Sequence, residues 1–426
     1  MYNVVDRIFI GLVEGPFAIS GLAITFPVMT LTSSLGMLVG SGAAARISIS
    51  LGKRDHHTAE QILGNSLLLT VILNAVFITL FVTFLEPILM AFGASSLTFP
   101  YARDYLKIVL LGNLFVSLCY NFNAMMRSSG YPTKAMVTML IGAVLNLILS
   151  PLFLFVFKLG IRGVAWATVL SMFIGMLFVM HHFTLRSSVI RLRWKQIRLN
   201  KTIILSILSI GLSPFSMQVA ASSVALLMNT SLLRHGGDLA VGAYGIINSI
   251  LMLILMVVLG LNQGTQPIIG YNYGAGNYRR VRDTLFYSLK MATLFTTVGF
   301  LIGQFFPRFL ASAFTTDAEL LEISGSGLRI ALLALPFVGF QIVSSNFFQS
   351  IGFAAKSIIQ SLSRQLIFLV PGIILLPRIW GLQGLWIAIP VSDTLAALLS
   401  LYLLAIQLRH LRRMEEGADD SNRQRR

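Results

Sequence analysis

Four stretches constrain the chain more than anything else in it: Ile62–Phe84, Ile108–Met125, Met136–Phe157 and Leu385–Ile406 are apolar nearly throughout and carry a single charged residue, Asp393, among them. A helix that crosses a bilayer needs about 20 such residues, so each run has a spanning length. A membrane barrel would alternate polar and apolar side chains over about ten residues, and these runs do not alternate. With 56% hydrophobic and only 11% charged residues, the chain carries more apolar surface than a soluble core can absorb. The expectation is an all-α polytopic membrane protein.

Charge supports this class and excludes another. The 32 Lys and Arg against 16 Asp and Glu give a net charge of +16. They are spread over short interhelical segments and do not gather on one face, so no nucleic-acid partner is expected. Cytoplasmic loops of membrane proteins retain Lys and Arg, which accounts for the excess. The lone cysteine, Cys119, lies inside an apolar run and reads as a small buried hydrophobe. Histidines 56, 57, 181, 182, 235 and 410 fall at loops or helix ends without a ligand cluster, so neither a metal nor a cofactor is expected.

Periodicity predicts helices over Phe17–Ser50, Ile62–Met90, Tyr101–Met126, Ala135–Phe157 and Gly163–His181. In the second half it predicts Thr202–Leu233, Leu239–Tyr271, Leu285–Ala313, Leu320–Ser350, Ser357–Leu376 and Leu385–Leu408. Tyr2–Leu12 reads as the back half of a further span, too short to cross alone, so the first helix is expected to be truncated at its start. That gives about 12 transmembrane helices.

The two halves repeat. Gly42, Gly130 and Lys134 recur as Gly264, Gly352 and Lys356, each 222 positions on, while Gly160 and Gly163 recur as Gly381 and Gly384 at 221. A near-constant offset over such a length points to duplication, here of a six-helix unit. An even helix number makes the copies parallel. The predicted organisation is two pseudo-symmetric six-helix bundles: an N-terminal lobe over 1–185, a basic linker over 186–201, a C-terminal lobe over 202–408 and a polar tail over 409–426. The linker carries Arg186, Arg191, Arg193, Lys195, Arg198 and Lys201 with no acid. It shares one side of the layout with Lys53–Arg54, Arg279–Arg280 and the tail. That side is the more basic, so it and the C-terminus are read as cytoplasmic. The tail's mixed charge predicts disorder.

Polar residues at membrane depth are the candidate functional groups. Asp6 lies within the partial first helix, where a carboxylate costs about 2.5–3.5 kcal/mol on insertion scales and usually faces an interior cavity. Desolvation would bring its protonation within reach of neutral pH. Asn146 and Ser150 are four apart, hence on one helical face, and Pro151 loosens the next turn. Oxygens freed at such a break suit a hard cation, though small polar residues also serve helix packing. In the second half Gln218 could line a cavity, and Asp393 is as well explained by a structural pairing. Gln263 and Pro267 sit in a long helix expected to bend at the proline.

Several motifs together carry a family likeness. Y-N-V-V-D-R-I-F-I-G (Tyr2–Gly11), M-R-S-S-G-Y-P-T-K-A (Met126–Ala135), V-L-N-L-I-L-S-P-L-F-L-F (Val144–Phe155) and G-V-A-W-A-T-V-L-S (Gly163–Ser171) match in order and spacing. So does Q-G-T-Q-P-I-I-G-Y-N-Y-G-A-G-N-Y-R-R-V (Gln263–Val281). The chain resembles the multidrug and toxic compound extrusion (MATE) family, in particular the bacterial branch whose first lobe holds the cation site. The resemblance implies a central cavity and outward transport driven by a proton or sodium gradient. It also assigns Asp6 to the acidic residue that binds the coupling cation, and adds Thr168 to the site. The sequence departs at Ser150, where the family usually carries aspartate; a hydroxyl supplies no second negative charge. Sodium could still be held by Asp6, Asn146 and Thr168, but the balance tips towards a proton.

The expected function is export of lipophilic organic cations by a monomer in the bacterial inner membrane, through alternating access. Two rivals share the architecture: a flippase for lipid-linked precursors, which would need more basic residues at mid-helix depth than Arg46, Lys290 and Arg329 offer, and a non-transporting scaffold. An intramembrane enzyme would need paired carboxylates or a nucleophile with its base inside helices, and the sequence holds neither.

Overall fold

The computed structural model describes Ile10, Glu14 and residues 16–92 and 94–424; Asp6 and the rest of the partial first helix lie outside them. The described residues are helical almost throughout, with no strand among them. In order they form α1 (Pro16–Gly52), α2 (His56–Thr83), α3 (Leu85–Ala91), α4 (Phe99–Ser128), α5 (Pro132–Pro151) and α6 (Gly160–Thr184), then α7 (Lys201–Gly274) and α8 (Tyr278–Phe305). They continue with α9 (Pro307–Ser312), α10 (Ala318–Ala331), α11 (Leu335–Ser350), α12 (Ala354–Leu362), α13 (Val370–Leu375) and α14 (Pro377–Gln424).

Among the described residues nine helices are long and apolar enough to span a membrane, and α10 with α11, bent by 56°, makes a tenth. The run α7 is two helices back to back, broken at Gly237 (φ 68°, ψ −167°), which raises the number to eleven. Helix starts fall several residues earlier than periodicity predicts, because polar first turns such as His56–Gln61 carry no apolar signal. The chain forms two compact units, one ending at Gly211 and one starting at Leu212.

Helix α5 shows why this is a membrane fold. Its buried stripe is Ala135, Thr138, Gly142, Asn146 and Ser150, small or polar, while Met136, Leu140, Val144, Leu147 and Ile148 point outward. Water would demand the reverse arrangement. Lipid tails are as apolar as leucine, so small and polar residues face neighbouring helices. Glycines then permit close approach: a Cβ at Gly112 of α4 would strike Val169 of α6, and one at Gly175 of α6 would lie 3.1 Å from Cys119 Sγ on α4.

In the first unit the basic linker is fastened down. Glu60 of α2 accepts from the Arg191 backbone N–H at 3.2 Å and pairs with Arg193 at 3.0 Å. Asn65 accepts from the Asn200 N–H at 2.7 Å, and Ile190 is wholly buried. The first turns of α7 continue this packing: a Cβ at Gly42 would collide with the Ile207 carbonyl, and one at Gly211 with the Leu38 carbonyl.

In the second unit one core gathers Val224, Met228, Ile247, Leu328, Leu332 and Trp386, and another gathers Val258, Leu285, Phe347 and Phe348. Helix α14 runs on to Gln424, beyond the point where composition predicts disorder, so the tail's polar residues extend a helix already nucleated by its apolar part.

The duplication is written in the backbone. Gly130 and Gly352 both take positive φ (95° and 84°), as do Gly160 and Gly381 (59° and 53°). These are left-handed positions at helix ends, where glycine carries no Cβ penalty.

A candidate coupling site in the first lobe

Helix α5 delivers the site because its buried positions repeat every four residues. Asn146, 1% exposed, donates from Nδ2 to the Thr168 hydroxyl of α6 at 3.2 Å. That hydroxyl in turn lies 3.2 Å from the Val164 carbonyl, to which it donates. The Asn146 Oδ1 has no hydrogen-bond partner among the described residues. A buried acceptor left bare costs about 1–3 kcal/mol, so the position suits a ligand that can satisfy it: a cation, or the proton of a carboxylic acid. Ser150 is fully buried one turn further along the same stripe. The backbone after Pro151 widens into a π-helical turn over Leu152–Val156, which loosens the carbonyl ladder beside these side chains.

In the opposite direction along α5, the stripe opens into a cavity of about 280 Å³. Thr138, Gly142 and Ala143 of α5 form one wall, Ser117, Tyr120 and Asn123 of α4 another, and Met172 of α6 closes it. Hydroxyls, an amide, a phenol ring and a flexible thioether give the wall both polar acceptors and a deformable apolar surface. Asn123 is held in place: its Nδ2 donates to the Ala135 carbonyl at 2.7 Å and its Oδ1 accepts from Arg127.

A polar seam that the sequence reading missed backs this wall. Asn74 of α2 accepts from Asn113 at 2.7 Å and from Ser117 at 3.0 Å, and Asn121 donates to Thr70. The four-residue spacing of Asn113, Ser117 and Asn121, matched by Thr70 and Asn74, was the available signal. Polar groups at such depth need partners, so two helices with matching ladders must face each other.

The second-lobe candidates do not form a comparable cluster. Gln218 is half-buried in α7, and its carbonyl accepts from Ser222 at 3.1 Å. Gln263 and Pro267 are half-buried in the same run, whose backbone leaves helical geometry at Gly237. Asp393 is 3% exposed and pairs with Arg364 at 2.6 Å. Polar side chains do gather elsewhere in this lobe: Ser213 meets Ser357 and Ser361 at 2.8 and 2.9 Å, and Gln341 donates to the Gln360 carbonyl at 3.2 Å.

Comparison with known proteins places the chain among transporters. The MatE family model matches residues 1–152 and 214–374. The chain is 27% identical over 411 residues to the multidrug export protein MepA of Staphylococcus aureus (strain MSSA476), spanning 96% of this chain and 90% of that one. The Staphylococcus haemolyticus (strain JCSC1435) MepA is 24% identical over 404 residues, spanning 95% and 89%. The solved structure of the MATE multidrug transporter DinF-BH is 38% identical, with a TM-score of 0.88 over 95% of this chain and 91% of that one. An outward-facing multidrug resistance MATE family transporter of the MOP superfamily is 25% identical, with a TM-score of 0.91 over 96% and 92%.

Proposed function

The chain belongs to the MATE family, whose members are transporters and not enzymes, and from that premise we propose that it exports lipophilic organic cations in exchange for protons. The observation that carries the proposal is the buried Asn146 oxygen, bare among the described residues, one helical turn from Gly142 in the wall of a cavity that Tyr120 and Met172 also line. A phenol face and unfilled acceptors attract a cation, and a thioether adapts to varied shapes.

Asp6 is the proposed ionisable partner. Proton arrival would neutralise it and weaken the hold on a cationic substrate; proton loss would restore that hold. Each ligand then biases the same pair of states in opposite directions, which is the requirement for antiport. With Ser150 where the family usually has a second carboxylate, the site has a single titratable group. That favours a proton over sodium, which prefers a fuller cage of charged oxygens. The same reading puts the protein in the bacterial inner membrane, as a monomer surrounded by lipid, with its C-terminus in the cytoplasm.

Expression in a bacterium stripped of its own multidrug exporters tests the reading. The wild-type chain should raise resistance to cationic dyes and quaternary ammonium compounds, and Asp6→Asn should remove that resistance at equal membrane abundance. Full resistance from Asp6→Asn would overturn the coupling role.

A further inference from the structure

At one end of the second lobe, where α12 begins and α14 leaves its apolar stretch, lies a cavity of about 450 Å³ lined by Lys356, Gln407, Arg409, His410 and Arg413. No carboxylate lines it among the described residues. Lys356 is held rigidly: its ammonium lies 5.4 and 5.2 Å from the ring centres of Phe348 and Phe353 and donates to Gln407 Oε1 at 2.8 Å. That bond turns the Gln407 amide, and its Nε2 is left buried without a hydrogen-bond partner among the described residues, the side chain being only 2% exposed. The nearest acid along α14, Glu415, is engaged by Arg282 at 2.9 Å. The cavity therefore offers donors, several of them charged, and an orphaned buried donor that only an acceptor can satisfy.

The first copy of the repeat shows what the second lacks. Lys134 sits 5.0 Å over the Tyr131 ring, as Lys356 does over Phe353 at the same offset. There the chain turns after α6, Tyr131 donates to the Ser187 carbonyl at 3.1 Å, and Ile190 is buried by the linker. In the second copy α14 runs straight on, and the equivalent space stays open. The lining residues stand at the ends of two helices long and apolar enough to span a membrane, and the exposed Ile406 and Tyr402 continue along α14 from them.

We propose that Lys356, Gln407, Arg409, His410 and Arg413 form a binding site for the phosphate of an anionic phospholipid headgroup. Basic pockets between spanning helices at a membrane surface have the charge and depth for such headgroups. The Gln407 amide and Lys356 ammonium would bind phosphate oxygens from the floor, and the two arginines would close over them. Ile406 and Tyr402 give the attached acyl chain an apolar track. The inference is independent of what the protein exports.

Titration of the delipidated, detergent-purified full chain with phosphatidylglycerol, followed by native mass spectrometry, tests it. One saturable site is expected, with phosphatidylcholine at least tenfold weaker and millimolar inorganic phosphate unable to displace the lipid. Arg409→Gln/Arg413→Gln should weaken phosphatidylglycerol at least tenfold, whereas Arg279→Gln/Arg280→Gln, which removes the same charge from the first turn of α8, should not. Gln407→Glu keeps the fold by pairing with Lys356 but removes the orphan donor, and should also abolish binding. Equal loss in the Arg279/Arg280 variant, unchanged binding in Gln407→Glu, or displacement by inorganic phosphate alone would each overturn the assignment.

Discussion

Asn146 and Thr168 join α5 to α6 by a single amide-to-hydroxyl hydrogen bond of 3.2 Å, and the Asn146 carbonyl oxygen is left bare in the lobe interior. Stability and transport should therefore separate at this residue. Asn146→Leu removes an unpartnered buried acceptor, whose retention costs about 1–3 kcal/mol, so the melting temperature should hold or rise. Cation export should drop at least tenfold. Parallel loss of both, measured by thermal unfolding and dye efflux, would mean the asparagine serves packing alone.

Gly142 lies at the wall of the 280 Å³ cavity, and a Cβ there would meet only the end of Met172, at 4.0 Å. Gly142→Ala should leave export within about twofold of wild type, since that contact is of ordinary van der Waals length. Gly142→Phe should fill the space and abolish export of bulky cations while the protein still inserts. Export of a large dye at wild-type rate by the phenylalanine variant would exclude the cavity from the substrate route.

Asp393 and Arg364 form a buried pair in the second lobe, 2.6 Å apart, with 4% and 20% of their side chains exposed. Removing one partner strands the other, at a cost of about 3–5 kcal/mol. Asp393→Ala should thus lower thermal stability sharply, and Arg364→Met/Asp393→Leu should recover most of it. If the double variant also exports at near wild-type rate, the pair is structural; a stable but inactive double variant would give it a part in coupling.

Arg54 and Gly276 occupy the same place in the two copies, 222 positions apart, with φ of 61° and 74°. A left-handed backbone costs an L-residue about 1–2 kcal/mol, a cost glycine does not carry. Arg54→Gly should be neutral or stabilising by up to about 1 kcal/mol after allowance for its greater unfolded-chain freedom. Gly276→Ala should be destabilising by about 1 kcal/mol, as read from detergent thermal melts.

Much of the fold is legible in the sequence. Apolar runs such as Ile62–Phe84 have one plausible use, and the recurrence of Gly130 at Gly352 marks a shared left-handed turn that glycine adopts without a Cβ penalty. Helix ends were less legible, because residues such as His56–Gln61 begin a helix through the Asp55 cap and carry no apolar period. The site was half visible. Asn146, Ser150 and Thr168 sit on readable faces of α5 and α6, while the Asn74–Asn113–Ser117 seam depends on which two helices pack together. Single-sequence periodicity orients a face but does not select its partner. The burial of Gln407 likewise depends on α14 meeting α12, which no local pattern announces.

Everted membrane vesicles with proton and sodium gradients imposed separately provide the most direct test of proton-coupled export centred on the first lobe. The account predicts uptake of a cationic dye driven by an inside-acid pH gradient, unaffected by sodium and lost in Asp6→Asn. Uptake that follows a sodium gradient alone, or that survives in Asp6→Asn, would contradict it.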